Sequence, residues 1–208
     1  MLQYLIILLD DISTSYCHFD NKNQSRQLIP LEVLKAAIFY GMKENLMIQF
    51  VYPDYELPQE YKDVIDSIDL NDIVSSLCED KNLVENADII IFHDWTGIIY
   101  SKFYEDKIYT LRTSKEDLFD SYKSLSSIIK SSRRLNIVIT DVENFTNSDF
   151  PKYEEVLNYL SSILLKCFAD GRSPQLNLLT DRMELENMNN CNAGYESITI
   201  APDGNFYI

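Results

Sequence analysis

Short apolar runs recur at wide intervals along the chain and alternate with segments of helical period. Most of these runs are rich in β-branched or aromatic residues, and they cover residues 3–9, 47–52, 88–92, 107–111, 136–140 and 175–179. Unbroken apolar runs of this kind are typical of strands that are buried on both faces, as in a parallel sheet. The pattern therefore predicts about six strands, mostly parallel.

Amphipathic helices are predicted between several of these strands. Each has one apolar stripe at helical spacing: Leu31, Leu34, Ile38 and Met42 in a helix that Pro30 opens; Leu118, Tyr122, Leu125 and Ile129 in one that Ser114 and Asp117 start as a capping box; and Leu157, Leu160, Leu164 and Phe168 in residues 151–169. Residues 58–83 predict one or two shorter helices.

This alternation predicts an α/β fold with a mostly parallel sheet, or a partial (β/α)6-type barrel, because strand–helix–strand units make right-handed crossovers. A chain of 208 residues is too short for a closed eight-unit barrel. Residues 183–192 are polar and Asn-rich and indicate an irregular connector. Pro202-Asp203-Gly204, between two short apolar segments, predicts a C-terminal β-hairpin.

The net charge of the chain makes some classes of binding partner less favourable. With 33 acidic against 18 basic residues, the net charge is -15, which disfavours binding to nucleic acid or to an anionic membrane surface. The charge serves solubility or steers a basic peptide or a cation. No basic residue precedes the apolar residues 5–9, and no run is long enough to cross a bilayer, so we expect neither export nor membrane insertion. The four cysteines form no CxxC pair, and a reducing cytosol is expected.

Polar residues follow the predicted strands and supply the candidate ligand face: Asp10, Asp11, Asp54, His93, Asp94, Arg112, Asp141 and Asp181. The carboxyl ends of parallel strands form the ligand face of α/β proteins, so these residues could converge on a divalent metal or a cationic group, as in a metal-dependent hydrolase. His93 and Asp94 could act as a base and its orienting carboxylate. Alternatively, the aspartates cap helix N-termini and His93 is structural.

Three stretches together resemble the CXXX repeat peptide maturases, a family related to radical-SAM enzymes with a SPASM-type cluster domain. They are residues 4–11 with 15–18 (SYCH), residues 44–58 (ENLMIQFVYPDYELP) and residues 189–194 (NNCNAG). The likeness spans nearly the whole chain. It implies a radical-SAM-like α/β domain in residues 1–182, and the start of a SPASM or twitch-like extension in residues 183–208.

The resemblance implies a role in maturing a small ribosomal peptide with cysteines at every fourth position. Radical-SAM enzymes hold their cluster with CxxxCxxC after the first strand, but this chain has only Cys17 there, and one thiolate cannot hold a cluster. Cys17 and His18 could ligate a metal with partners elsewhere in the chain, or Cys17 is incidental. Cys191 is the implied first ligand of an auxiliary cluster whose other ligands would lie downstream, so we expect no cluster in this chain as written and a functionally incomplete, truncated form. Cys78 and Cys167 are predicted to be packing residues.

The leading hypothesis is therefore a degenerate or truncated scaffold that binds the Cys-repeat peptide or a partner maturase. A metal-dependent hydrolase and a non-catalytic interaction module are the alternatives, and whether the chain is an enzyme is left open.

Overall fold

A computed structural model describes residues 2–18, 25–68, 71–183 and 193–208. Within these ranges the strands are β1 (Tyr4–Leu8), β2 (Met47–Val51), β3 (Asn71–Ser75), β4 (Ile89–Phe92), β5 (Ile108–Thr113), β6 (Arg134–Ile139), β7 (Gln175–Leu176), β8 (Ser197–Ile200) and β9 (Phe206–Tyr207). The helices are α1 (Leu31–Lys43), α2 (Gln59–Ile65), α3 (Lys81–Asn86), α4 (Trp95–Tyr100), α5 (Lys115–Ser121), α6 (Leu125–Ser131), α7 (Asp149–Ala169) and α8 (Thr180–Met183). Two 3₁₀ turns cover Tyr122–Ser124 and Val142–Asn144.

The chain forms two compact units, and each is described by itself. The first comprises the described parts of residues 1–15, 20–88 and 189–208, and the second those of residues 16–19 and 89–188. The sequence predicted a boundary near residue 182 and a separate C-terminal extension. In the structure, β8 and β9 belong to the first unit, because β8 pairs with β1.

In the first unit the strands lie in the order β3-β2-β1-β8-β9, parallel except for the antiparallel pair β8-β9. Leu5 and Ile7 of β1 are fully buried. Helix α1 approaches the sheet closely at Gly41, where a Cβ atom would lie 2.8 Å from Ile48 Cγ1 and 3.1 Å from Leu5 Cδ2. Any other residue at this position would have to displace Ile48, so glycine suits this close helix–sheet contact.

In the second unit the order is β7-β6-β5-β4, and every pair is parallel. The long helix α7 packs against α5 and α6. Its buried residues include Val156, Leu160, Ile163, Leu164 and Cys167. This apolar face holds α7 against α5 and α6.

The predicted α/β class, with mostly parallel strands and a C-terminal hairpin around residues 203–204, is confirmed. The prediction of only helices in residues 58–83 is wrong, because Asn71–Ser75 is a strand. Ile73 and Val74 are too short an apolar run to indicate a strand locally, and pairing with β2 stabilises it.

Two helical stripes end differently from the prediction. Met42 and Phe168 are 63% and 42% exposed, whereas Gly41 and Cys167 are buried. Positions i+3 and i+4 lie on nearly the same helix face, so the neighbouring elements decide which one the core receives. The stripe Leu118, Tyr122, Leu125 and Ile129 is buried as predicted.

Candidate functional site

The carboxyl ends of β4, β5 and β6 bring several predicted site residues together in the second unit. β4 and β5 pair through Phe92 and Leu111, so His93 follows at the level of Arg112. Arg112 pairs with Val138 of β6 and lies inside β5, not after it as predicted, because β5 continues to Thr113. His93 is half-buried, and Arg112 is only 7% exposed.

The loop that carries Cys17 lies at this edge. The Nε atom of Arg112 donates a hydrogen bond to the Cys17 carbonyl oxygen at 3.2 Å. His18 Nε2 lies 3.4 Å from a carboxylate oxygen of Glu143, in the 3₁₀ turn after β6. The Cys17 side chain is exposed. A buried, permanently charged guanidinium therefore holds the backbone of the loop at the exposed residue Cys17.

Two predicted site aspartates cap helices. Asp94 Oδ1 accepts hydrogen bonds from the backbone N–H groups of Thr96 and Gly97, at 2.8 and 3.3 Å, at the start of α4. Asp141 Oδ1 accepts from the backbone N–H of Lys115 at 2.8 Å, at the start of α5. These contacts favour the capping interpretation, since each carboxylate satisfies helix donors that have no intrahelical acceptor.

Asp181 lies elsewhere, and the expectation that it joins this edge is wrong. Asp181 forms an ion pair with Arg134, the first residue of β6, whereas Asp141 lies just after the last residue of that strand. Six residues of strand separate these two ends by about 17 Å. The reason is that β7 spans only Gln175–Leu176 beside the start of β6, and the chain then enters α8 at that end.

Asp10 lies in the first unit, at the end of β1, and is fully buried. Its carboxylate accepts hydrogen bonds from Tyr55 Oη at 2.5 Å and from the backbone N–H of Ile12 at 2.8 Å. Burial raises the pKa of Asp10, and these two hydrogen bonds only partly oppose it. Asp10 therefore organises the turn after β1.

Asp11 also lies in the first unit, directly after Asp10, and is half-buried. It accepts hydrogen bonds from the Ser25 hydroxyl and from the backbone N–H of Gln27. Burial alone would raise the pKa of Asp11, but these hydrogen bonds outweigh it and the pKa is lowered. In addition, Thr14 donates to Asp54 at 3.2 Å. The aspartates after β1 and β2 thus fix the loops around them.

Two further residues, Glu143 and Trp95, lie at the second-unit edge and were not predicted as site residues. Glu143 lies two positions after Asp141, a spacing that could have drawn attention to it. Trp95 Nε1 donates to Thr113 Oγ1 at 2.9 Å, which connects the start of α4 to the end of β5. No local pattern predicts that contact.

The prediction that Cys78 and Cys167 are packing residues agrees with their burial. Cys78 and Cys167 are buried and Cys17 is exposed, whereas Cys191 lies outside the described residues. The loop after β1 contains one thiolate ligand and does not fit a radical-SAM cluster, which needs three. Among the described residues, no three His, Cys, Asp or Glu side chains are grouped as metal ligands are.

The comparisons with known proteins do not assign this chain to a family. No protein-family model matches the sequence, and no curated protein or solved structure is significantly similar to it. The maturase resemblance thus stays a prediction. No helix in the described part of the chain is long and apolar enough to span a membrane.

Proposed function

We propose that this chain acts in peptide maturation as a radical-SAM-like scaffold that binds a cysteine-containing ribosomal peptide. The binding surface is the carboxyl edge of the second unit, around Cys17, His18 and Glu143. The supporting observation is that Arg112 anchors the Cys17 loop there and leaves the thiol exposed. In parallel α/β sheets this edge is the usual place for ligands.

The anchored loop suits peptide binding for an energetic reason. Binding a partner with a loose loop costs the entropy of ordering that loop, and an anchored loop has already lost that freedom. The Arg112 hydrogen bond involves a charged donor and is therefore stronger than a neutral one. A peptide that arrives at this edge would meet Cys17, whose backbone is held, and the neighbouring side chains of His18 and Glu143.

The proposed role is binding, and no chemical step is assigned to this chain. A single thiolate in the loop cannot hold the cluster that radical-SAM chemistry needs, so the modification belongs to a partner maturase. The hydrolase alternative needs aspartates that converge. Asp94 and Asp141 instead cap two different helices, and Asp181 lies at the other end of β6.

We expect the scaffold to act in the cytosol. Cys78 and Cys167 are buried thiols that form no disulfide, which is typical of a reducing compartment. The net charge of -15 favours a neutral or basic peptide over nucleic acid or an anionic lipid surface.

A peptide-binding assay with one blocked thiol tests the proposal. A fluorescent synthetic peptide with cysteine at every fourth position is titrated with the Cys191→Ser protein under reducing conditions, and anisotropy is measured. N-ethylmaleimide is then used to alkylate Cys17. The reaction should be selective because Cys17 is exposed, whereas Cys78 and Cys167 are buried. Alkylation should weaken binding at least about tenfold, because it adds bulk at the proposed contact.

The matched control is the Cys17→Ser/Cys191→Ser protein, which should bind the peptide similarly before and after the same treatment. A peptide with serine in place of cysteine should bind more weakly to the untreated protein. Equal binding of both peptides would favour the interaction-module alternative, and binding that ignores alkylation of Cys17 would contradict the proposed surface.

A further inference from the structure

A cavity of about 220 Å³ lies within the second unit, beside the starts of β6 and β7, and is called the basic cavity below. It belongs to none of the sites predicted from sequence. Its lining includes Glu105, Ile129, Lys130, Arg133, Arg172, Ser173 and Pro174. Three of these side chains are cationic and one is acidic, so the lining has an excess of positive charge. The chain as a whole has a net charge of -15, and this local excess is therefore opposite in sign to the protein's overall field.

The three cationic side chains can be reached from solvent. Lys130 and Arg133 are exposed, and the side chain of Arg172 is 40% exposed. Among the residues that the structure describes, neither Lys130 nor Arg133 has a carboxylate within ion-pair distance, although Glu105 is part of the same lining. The ammonium of Lys130 and the guanidinium of Arg133 are therefore available to a ligand.

Arg172 is held in place by contacts that leave part of its guanidinium available. Its Nη1 atom donates a hydrogen bond to the carbonyl oxygen of Lys130, near the end of α6. Its Nη2 atom lies 3.7 Å from a carboxylate oxygen of Asp170, a long contact between exposed groups that compensates little charge. A guanidinium has five N–H donors, so Arg172 retains donors for a ligand.

Backbone hydrogen bonds hold the segments that carry the two arginines. The N–H of Arg133 donates to the Lys107 carbonyl oxygen at 3.1 Å, and the Arg133 carbonyl oxygen accepts from the N–H of Gln175 at 3.0 Å. The N–H of Arg172 donates to the Cys167 carbonyl oxygen at 2.9 Å, at the end of α7. These segments have already lost backbone freedom, so binding a ligand there costs less conformational entropy.

The chemistry of the lining favours a small phosphate. A guanidinium forms two parallel hydrogen bonds to a phosphate group, which has three strong acceptor oxygens and can bind several cations at once. A carboxylate has only two oxygens. The buried residues Ile129 and Pro174 supply an apolar wall. The volume is below that of pockets for drug-sized ligands, about 300 Å³ and more. A nucleic acid is disfavoured, because the net charge of -15 repels a polyanion.

We propose that the basic cavity binds a small phosphate, either the inorganic ion or the phosphoryl group of a small ester. Lys130, Arg133 and Arg172 donate hydrogen bonds to its oxygens, and its negative charge offsets the mutual repulsion of the three cations. The cavity lies beside the start of β6, whereas the proposed peptide surface lies at the end of that strand, about 17 Å away. The two proposals are independent, so either can fail without the other.

The test titrates the full chain with inorganic phosphate, in a phosphate-free buffer at constant ionic strength, and follows backbone amide shifts by NMR. Saturable shifts should centre on residues 130–133 and 172–173, whereas chloride at the same ionic strength should not produce them. A parallel titration with glycerol 3-phosphate distinguishes the two sources. Tighter binding of the ester would support the proposal with an ester as ligand, and equal or weaker binding would support it with the inorganic ion.

Arg133→Gln should weaken phosphate binding by roughly tenfold or more, since it removes a charged hydrogen-bond donor. The variant should fold, because Arg133 is exposed. Lys130→Gln should weaken binding by about threefold or more, as expected for an exposed charge pair.

The matched control for Lys130→Gln is Lys152→Gln, which changes another exposed lysine of the second unit, at the start of α7 and outside the cavity. It should leave phosphate binding within about twofold, since a distant exposed charge is screened. Shifts that do not saturate, shifts that chloride reproduces, or equal binding by the wild type and Arg133→Gln would overturn the proposal.

Discussion

Replacing Leu160 with alanine should destabilise the second unit strongly. Leu160 is 0% exposed in the middle of α7, on the face that packs against α5 and α6. The change removes three carbons, worth about 0.8 kcal/mol each by transfer from water, or about 2.4 kcal/mol. The cavity left behind adds to this, and the expected loss in the free energy of unfolding is about 3 kcal/mol.

Leu165 offers a control on the same helix, because it is 65% exposed. Leu165→Ala removes the same atoms but little buried surface, so its cost should stay within about 0.5 kcal/mol. Alanine also has the higher helix propensity, so propensity does not explain any loss.

The measurement is urea unfolding of both variants under reducing conditions, followed by circular dichroism, with the thermal midpoint as a second observable. A loss of about 3 kcal/mol corresponds to a fall of roughly 6–12 °C for a chain of this size. A loss below about 1 kcal/mol for Leu160→Ala, or one equal to that of Leu165→Ala, would show that the buried face of α7 has been assigned to the wrong residues.

Two further predictions concern close packing and charge. Gly41→Ala should lower the free energy of unfolding by about 1–3 kcal/mol through overpacking, because the new Cβ would lie 2.8 Å from Ile48 Cγ1. The gain in helix propensity, about 1 kcal/mol, only partly offsets this cost. Urea unfolding that shows stabilisation would contradict this prediction. The Lys115 side chain, 2.9 Å from Asp149, together with hydrogen bonds from the backbone N–H and the hydroxyl of Thr146, lowers the pKa of Asp149 from 3.8 to about 2. A carboxyl group with a lowered pKa stabilises the fold at pH values above its pKa in the unfolded chain, and this stabilisation is lost as the pH falls from about 4 towards 2. Asp149→Asn should therefore make the free energy of unfolding depend less on pH in this range. An unchanged dependence in the variant would refute the prediction.

Only part of the candidate site could be predicted from the sequence. Polar residues after strands predicted a crowded carboxyl edge, and Asp94 and Asp141 do lie at strand ends, where they cap helices. Asp181 could not be placed from sequence, because its position depends on β7 ending after two residues. Strand ends are set by pairing with a neighbour, and that neighbour is not encoded nearby in the chain.

The sequence by itself determined the α/β class, the parallel strands and the C-terminal hairpin, because hydrophobic period and turn residues act over a few positions. Tertiary structure decided what those elements brought together. Arg112 and Cys17 are 95 residues apart in the chain and meet only because the strand and the loop pack in one unit. The hydrogen bond that Tyr55 donates to Asp10 likewise joins residues 45 positions apart in the chain. Contacts of this kind arise from burial and pairing between distant segments, so no local pattern in the sequence specifies them.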